Sequence, residues 1–222
     1  MDTQTLINAD FRERVVIDTR AQAWISSPES GVERQPLDRI GGEQARATSL
    51  VRYAAGSSFS AHQHGGGEEF LVLDGTFSDE HGEYPAGTYV RNPPGSCHRP
   101  FSREGCTLFV KLRQFAPDDQ KRVVIDTRAS TWSGVSGSGL SRLTLHRHGD
   151  EKVELVRFAP NARVPSDPHP GGEEVLVLEG VLSDEAGHYP AGVWVRDPPG
   201  SSHAPFSETG CVIYVKEGHL NC

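Results

Sequence analysis

The chain has 222 residues and a formal net charge of −8, from 30 acidic against 22 basic side chains, without a run of basic residues. This balance argues against a phosphate-binding surface, so we expect no direct contact with DNA or RNA. No apolar run approaches the roughly 20 residues that span a bilayer, and the first residues lack the basic and apolar regions of a signal peptide. These features predict a cytoplasmic protein without membrane contact.

Glycine and proline are frequent, with 24 and 15 copies in a chain that is 36% hydrophobic. This composition is typical of short strands separated by many turns. It predicts an all-β fold without long helices.

The chain contains an internal repeat. VVIDTRAQAW, which begins at Val15, recurs at Val123 as VVIDTRASTW. EEFLVLDGTFSDEHGEYPAGTYVRNPPGSCHRPFS, which begins at Glu68, recurs at Glu173 as EEVLVLEGVLSDEAGHYPAGVWVRDPPGSSHAPFS. A repeat of this length indicates a tandem duplication. The copies join in the polar, Pro-containing segment 114–120, so we predict two domains at 1–117 and 118–222.

Each copy contains four apolar or alternating runs between turn clusters, which predicts a small antiparallel barrel or jelly roll per copy. Arg52 and Arg157 occupy equivalent positions in such runs. Alternation along the strand favours solvent-facing side chains at both positions, although an inward arginine could hold an anionic substrate. Glu69 and Glu174 should point away from Glu68 and Glu173, which favours supporting or surface roles.

The first copy carries four candidate metal ligands. His62 and His64 are two residues apart, so on an extended strand both imidazoles point to the same face. Three glycines then allow a tight turn that can bring Glu68 back toward them, and a Pro/Gly turn precedes His98. Three nitrogens and one oxygen suit Zn, Fe(II), Mn(II) or Ni(II), with a coordination position left for water or substrate.

The second copy repeats this set with one change. Its candidate ligands are Asp167, His169, Glu173 and His203, so an aspartate replaces the first histidine of the motif. Two histidines and two carboxylates can hold a harder metal ion. Prolines around Asp167 can instead misplace its carboxylate, so an empty or differently occupied pocket is the alternative.

Four cysteines form no C-x-x-C pair, and reduced thiols are expected in a cytosolic chain. Cys106 and Cys211 precede apolar strands, which predicts buried small side chains. Cys97 adjoins His98, which makes it a candidate redox-sensitive thiol, although Ser202 takes its place in the second copy.

The spacing Gly56-x5-His62-x-His64-x3-Glu68-x6-Gly75, followed by Gly87-x5-Pro93-x-Gly95-x2-His98, resembles the two motifs of the cupin superfamily. The strings GGEE, SDE-x2-G-x-Y-x-AG and PPGS-x-H-x-PFS are similar to those of ChrR-like cupins, the sensor domain of some zinc-dependent anti-sigma factors. The resemblance implies a bicupin of two jelly-roll barrels whose ligands are the four residues of the first copy. It implies a divalent metal, zinc in the ChrR case. The helical His-x3-Cys-x2-Cys domain that grips the sigma factor has no counterpart here, so sigma-factor binding is not expected.

Three hypotheses about function follow. The first is a metal-dependent dioxygenase or related oxidoreductase that acts on a small organic molecule in the first cupin. The second is a non-catalytic zinc sensor that responds to oxidants. The third is a structural duplicated barrel whose second cupin serves dimerisation, because exposed strand edges can pair in a homodimer.

Overall fold

A computed structural model describes residues 5–42 and 44–220, except for the side chains of Val135 and Asp167. In this part of the chain every regular element is a β-strand. The all-β prediction is therefore confirmed. No helix of the described residues is long and apolar enough to cross a membrane.

The strands of the first half of the chain are β1 (Thr5–Ile7), β2 (Val15–Asp18), β3 (Ile25–Ser26), β4 (Val32–Gly41), β5 (Arg46–Tyr53), β6 (Ser57–Ser58), β7 (His62–Gln63), β8 (Glu68–Asp79), β9 (Gly82–Pro85), β10 (Thr88–Asn92), β11 (Cys97–His98), β12 (Phe101–Ser102) and β13 (Cys106–Leu112). Those of the second half are β14 (Val123–Asp126), β15 (Ser133–Val135), β16 (Leu140–His148), β17 (Glu151–Phe158), β18 (Ala162–Arg163), β19 (Asp167–His169), β20 (Glu173–Asp184), β21 (Gly187–Pro190), β22 (Val193–Asp197), β23 (Ser201–His203), β24 (Phe206–Ser207) and β25 (Cys211–Glu217).

The chain forms two compact units. Unit 1 consists of Ala23–Ala129 and of the described residues before Asp10, and unit 2 consists of Asp10–Gln22 and of the described residues from Ser130 onward. The main sheet of unit 1 has the order β1-β4-β5-β13-β8-β10-β14, and that of unit 2 has the order β15-β16-β17-β25-β20-β22-β2. Each unit is an antiparallel jelly-roll barrel, which confirms the predicted duplication of the fold.

The VVIDTR segments are exchanged between the sequence repeats. β14, from the second repeat, pairs with β10 in unit 1, whereas β2, from the first repeat, pairs with β22 in unit 2. Each unit thus takes its last sheet strand from the other sequence copy. The boundary near residue 117 between the two sequence repeats stays a prediction. The compact units follow a different division, because each is built from two separate stretches of the chain.

Apolar side chains of alternating strand positions fill each barrel. In unit 1 the core includes Phe70 and Val72 of β8, Val90 of β10 and Leu108 of β13. In unit 2 it includes equivalent residues such as Val175 and Val177 of β20. Because side chains alternate along a strand, Glu68, Phe70 and Val72 share the inner face. The core therefore fixes the direction of Glu68.

Glu69 lies on the face of β8 opposite Glu68, as predicted, and its 1% exposure rules out the surface role that was one of the two roles expected for it. It forms an ion pair with Arg91, which also pairs with Asp119 at 2.6 Å and lies 3.8 Å from the ring centroid of Phe115. The Tyr89 hydroxyl donates to Glu69 at 2.9 Å. A buried charge is tolerated where it is paired and hydrogen-bonded in this way.

Candidate metal centre

Two short strands bring the histidines of the first copy together. β7 pairs with β11, and the register places His62 directly opposite His98. Backbone hydrogen bonds fix the following turn: the His64 N–H donates to the Ser96 carbonyl at 2.9 Å, and the Gly95 N–H donates to the His64 carbonyl at 2.9 Å. The Pro/Gly turn before His98 therefore returns the chain to the His62–His64 segment, as its sequence indicated.

The glycine turn then leads into Glu68, the first residue of β8. Gly67 has a φ of +77°, and a Cβ at this position would meet the Phe115 ring at 2.3 Å. Only glycine fits both the left-handed backbone and the close ring. This turn directs the chain back so that the Glu68 carboxylate faces the histidines.

The four predicted residues of the first copy form one cluster. His62, His64, Glu68 and His98 each offer a ligand atom, and these atoms all lie within 4.8 Å of one another. The three imidazole centroids are 4.7 to 5.0 Å apart. His64, Glu68 and His98 are buried, whereas His62 is partly exposed, so the cluster opens to solvent on the His62 side.

The atoms of this cluster fit a cation. The Nε2 atoms of His64 and His98 are buried and have no hydrogen-bond partner among the described residues. They lie 3.4 and 3.6 Å from the same carboxylate oxygen of Glu68, Oε2. Buried polar atoms are rarely left without a partner, and a divalent ion between them would supply one. The cluster can therefore hold a metal ion with three nitrogen ligands and one oxygen ligand.

Neighbouring groups orient the ligands. Asp79 Oδ2 lies 3.2 Å from His98 Nδ1, and the His62 Nδ1 lies 2.8 Å from the Ser60 carbonyl, which requires a proton on that nitrogen. Asn92 Nδ2 donates to Glu68 Oε2 at 3.3 Å. Such partners direct the other imidazole nitrogen, Nε2, toward the metal position.

Burial and charge act differently on the buried histidines. Burial lowers the pKa of His64. Burial also opposes protonation of His98, but the hydrogen bond to Asp79 and the charge of Glu68 outweigh it and raise the pKa of that imidazole. The raised pKa reflects a strongly negative environment around His98, which also favours a bound cation.

Aromatic rings form the wall beside the ligands. The Phe59 ring centroid is 5.1 Å from that of His62, and the Phe77 centroid is 5.9 Å from that of His98. Tyr53 packs on Phe77 at 5.7 Å, and its pKa is raised by burial and by the charge of Glu68. A small molecule at the cluster would meet an apolar, aromatic wall.

Unit 2 holds a cluster of three described residues. His169, Glu173 and His203 offer ligand atoms within 4.8 Å of one another, and His169 Nε2 and Glu173 Oε2 are buried without a hydrogen-bond partner among the described residues. The backbone of Asp167 lies opposite His203 in register, as His62 lies opposite His98. The Asp167 side chain lies outside the described residues.

The surroundings of the two clusters differ in charge. Asp197 replaces Asn92 beside the glutamate, and Arg14 contacts Asp197 at 2.6 Å and Asp184 at 2.9 Å. Burial lowers the pKa of His203, but Glu173 and Asp184 outweigh it and raise this pKa to about 9. Unit 2 thus already contains an internal cation beside its cluster.

The family comparison agrees with this architecture. The model of the ChrR cupin-like domain matches residues 12–116 and again residues 120–221. The chain belongs to the ChrR cupin-like family. Its two cupin domains carry the motifs on which the sequence resemblance rested. The search of curated proteins returned no match.

Solved structures share the fold of this ChrR cupin-like chain at low identity. A candidate dioxygenase from Nostoc punctiforme has a TM-score of 0.78 and 14% identity, over 94% of this chain and 84% of that chain. A candidate glyoxylate-induced protein from Pseudomonas aeruginosa has a TM-score of 0.75 and 15% identity, over 92% and 88%. Oxalate decarboxylase from Bacillus subtilis, whose Mn(II) centres have been characterised, has a TM-score of 0.63 and 12% identity, over 93% and 78%. These similarities concern the cupin fold.

The cysteines of this cupin chain differ in exposure. Cys97 is exposed and not in a disulfide, whereas Cys106 and Cys211 are buried, and burial raises the pKa of both buried thiols to about 11. Cys222 lies outside the described residues. The redox role of Cys97 stays a prediction.

Sequence reasoning missed the residues that support the cupin ligands. Asp79 and its counterpart Asp184 both lie in SDE strings that recur in the two copies, so the repeat held a signal for them. Asn92 is the last residue of β10 and contacts Glu68 because β10 pairs with β8, which places the two residues opposite each other. That contact needed the strand register, which the sequence did not specify.

Proposed function

We propose that this chain is a metal-dependent bicupin oxidoreductase, a dioxygenase or a related enzyme, that acts on a small organic molecule at the cluster in unit 1. The observation that carries the proposal is the set of four ligand atoms within 4.8 Å, which includes two buried Nε2 atoms that have no hydrogen-bond partner in the part of the chain that the structure describes. His62, His64, Glu68 and His98 would hold the ion. A divalent ion such as Fe(II) or Mn(II) would supply a Lewis-acidic centre with an open position.

The residues of the chain would prepare this centre in three ways. Asp79 holds His98 with Nε2 toward the ion, and Asn92 orients the Glu68 carboxylate. The partly exposed His62 marks the side from which a substrate enters. Phe59 and Phe77 exclude water from the walls around the bound molecule, which strengthens the electrostatic interactions inside.

The test combines metal content with oxygen uptake. The full chain is loaded with Fe(II) under anaerobic conditions, and oxygen consumption is followed with small 2-oxo acids, enolisable diketones and catechols. We expect uptake with a subset of these compounds, loss of uptake in His62→Ala, and retention in the matched second-site variant His169→Ala. Full metal occupancy without uptake for any compound would contradict the enzyme proposal.

A second candidate function is a zinc-binding sensor, and the exposed thiol of Cys97 beside His98 favours it. In that case zinc would be held tightly and would resist exchange, and oxidation of Cys97 would change the zinc affinity. Oxidation with hydrogen peroxide, followed by zinc competition with a chromophoric chelator, tests this function in wild type and in Cys97→Ser. An affinity that is the same before and after oxidation in both proteins would exclude it.

A further inference from the structure

A buried ion-pair cluster lies inside the barrel of unit 2. Glu154 is 1% exposed and accepts hydrogen bonds from Arg142 at 2.8 Å, from Arg147 at 3.0 Å and from Thr144 at 2.9 Å. Lys152 lies 3.7 Å from the same carboxylate. Glu154 therefore balances two arginines, while Lys152 is also paired with Glu217 at 2.6 Å, and the buried charge of Glu154 is hydrogen-bonded.

Unit 1 has the two arginines of this cluster but not its acid. Arg34 lies opposite Val51 as Arg142 lies opposite Val156, and Arg39 lies opposite Ala47 as Arg147 lies opposite Lys152. The residue that corresponds to Glu154 is Ser49, two positions before Val51 on β5. Two arginines thus flank a position where unit 2 supplies a carboxylate.

No described carboxylate forms an ion pair with Arg34 or Arg39 within 4 Å. The guanidinium of Arg34 lies 5.9 Å from the ring centroid of Phe59, and Arg39 donates to the Gly42 carbonyl. Both arginines are partly buried. Burial and the neighbouring charge of Arg39 lower the pKa of Arg34. Two partly buried guanidinium groups that flank the Ser49 position favour an anion between them.

This arginine pair belongs to the same barrel as the metal ligands. Phe59 connects the two sites, because it contacts the guanidinium of Arg34 on one side and the ring of His62 on the other. Arg39 and Glu68 are aligned across the sheet: Arg39 pairs with Ala47, Ala47 with Leu112, and Leu112 with Glu68. The arginines and the metal ligands therefore face the interior of the same barrel.

We propose that Arg34 and Arg39 bind the carboxylate of a small organic acid with an apolar body, which is the substrate class of the first site. The carboxylate would take the position that Glu154 occupies in unit 2, and the aromatic wall of Phe59 and Tyr53 would contact the apolar part. This inference rests on the function proposed above, since it assigns the substrate of the same site. Unit 2 would not bind such a molecule in this way, because Glu154 already neutralises its arginines.

The binding test uses isothermal titration of the metal-loaded full chain with benzoate and hexanoate. We expect both acids to bind and their neutral amides to bind at least tenfold more weakly, because a charged hydrogen-bond pair is lost. Arg34→Gln should weaken the acids at least tenfold without changing the metal content. Arg52→Gln is the matched control, since Arg52 is exposed and pairs with Glu33.

A gain-of-acid variant separates this site from general damage. Ser49→Glu places a carboxylate at the position of Glu154, so it should abolish binding of the acids and raise the melting temperature, whereas a variant that merely misfolds would lower it. Failure of both acids to bind the wild type, or equal binding by Arg34→Gln, would overturn the proposal. Equally tight, Arg34-dependent binding of inorganic phosphate would overturn the assignment to carboxylates.

The outcomes also distinguish this inference from the proposed enzyme function. If the first site holds no metal but Arg34-dependent binding of benzoate persists in chelated protein, the enzyme proposal fails and the acid site stands. If metal is bound in full and benzoate binding is lost only on metal removal, with no effect of Arg34→Gln, the anion binds the metal and the arginine proposal fails.

Discussion

Replacing Asp79 by asparagine should weaken metal binding at the first site without disturbing the turn that Asp79 supports. Asp79 Oδ1 accepts backbone hydrogen bonds from His81 at 2.8 Å and Gly82 at 3.1 Å, and an asparagine oxygen can accept both. Oδ2, which lies 3.2 Å from His98 Nδ1, would become an NH₂ group. His98 would then accept at Nδ1 and carry its proton on Nε2, the nitrogen that faces Glu68.

The expected loss follows from this change of tautomer. Groups that orient a metal-bound imidazole typically contribute 10- to 100-fold to metal affinity. This range corresponds to about 1.4 to 2.7 kcal/mol of binding free energy. The assay is competition for zinc with a chromophoric chelator, in a His169→Ala background that disables the second cluster.

The control is Glu83→Gln, which removes one negative charge from the neighbouring strand β9, where Glu83 is exposed and forms an ion pair with Arg103 at 3.2 Å. We expect less than a twofold change in zinc affinity for this variant. A change of less than twofold in Asp79→Asn as well, with an unaltered unfolding curve, would refute the role given to Asp79.

Further variants test the packing and the chemistry of the chain. Glu154→Gln should lower the unfolding free energy by about 1.5 to 3 kcal/mol at pH 7, since the buried carboxylate loses its charged hydrogen bonds to the partly exposed Arg142 and Arg147. Burial opposes ionisation of Glu154, but its hydrogen bonds and the neighbouring cations outweigh burial and hold its pKa below the usual 4.5. The difference in unfolding free energy between wild type and Glu154→Gln, measured in urea, should therefore shrink as the pH falls below 4.5. A difference that stays constant with pH would contradict the ion pairing. Gly75→Ala should lower the melting temperature more than Gly56→Ala. Both glycines have a positive φ, but only a Cβ at Gly75 would meet the Gly105 carbonyl, at 2.0 Å. Equal effects of the two variants would show that backbone strain alone decides the loss. Of the three described cysteines, only Cys97 should react with iodoacetamide in the native protein, as peptide mass mapping would show, and modification of a buried cysteine at the same rate would contradict the burial.

The repeat and the metal-ligand spacing carried most of what the sequence predicted. His62 and His64 are close in sequence, and strand periodicity alone places them on one face. His98 is distant, but the Pro/Gly turn before it occurs in both copies and indicated a return of the chain. Local patterns of this kind do not depend on which strands pair.

Features that depend on strand pairing were not predictable. The segment VVIDTR and its neighbouring residues are nearly the same in both copies, so the sequence pattern does not specify which sheet each segment joins. The exchange of β2 and β14 between the repeats could therefore not be predicted. Alternation, by contrast, predicted solvent-facing side chains at Arg52 and Arg157, and both are exposed. The structure places Arg52 outside, 4.3 Å from the ring of Trp24, and brings Arg34 toward the aromatic wall.

The contrast between Ser49 and Glu154 was visible in the repeat, yet it had no meaning before the register was known. The arginines lie on β4 and β16, and the acid lies on the neighbouring strand of unit 2. Equivalent residues of β4 and β16 differ by 108 in residue number, whereas those of β5 and β17 differ by 105, because the first copy has three more residues before β5. Only the pairing of β4 with β5 and of β16 with β17 aligns the two clusters.

The central claim is that His62, His64, Glu68 and His98 hold a divalent metal ion. X-ray diffraction at the absorption edges of Zn, Fe, Mn and Ni, from crystals grown without chelators, tests it most directly. We predict an anomalous peak at about 2.0 to 2.2 Å from the three Nε2 atoms and the Glu68 carboxylate. Crystals without anomalous signal at this position, in which water bridges the buried Nε2 atoms of His64 and His98, would contradict it.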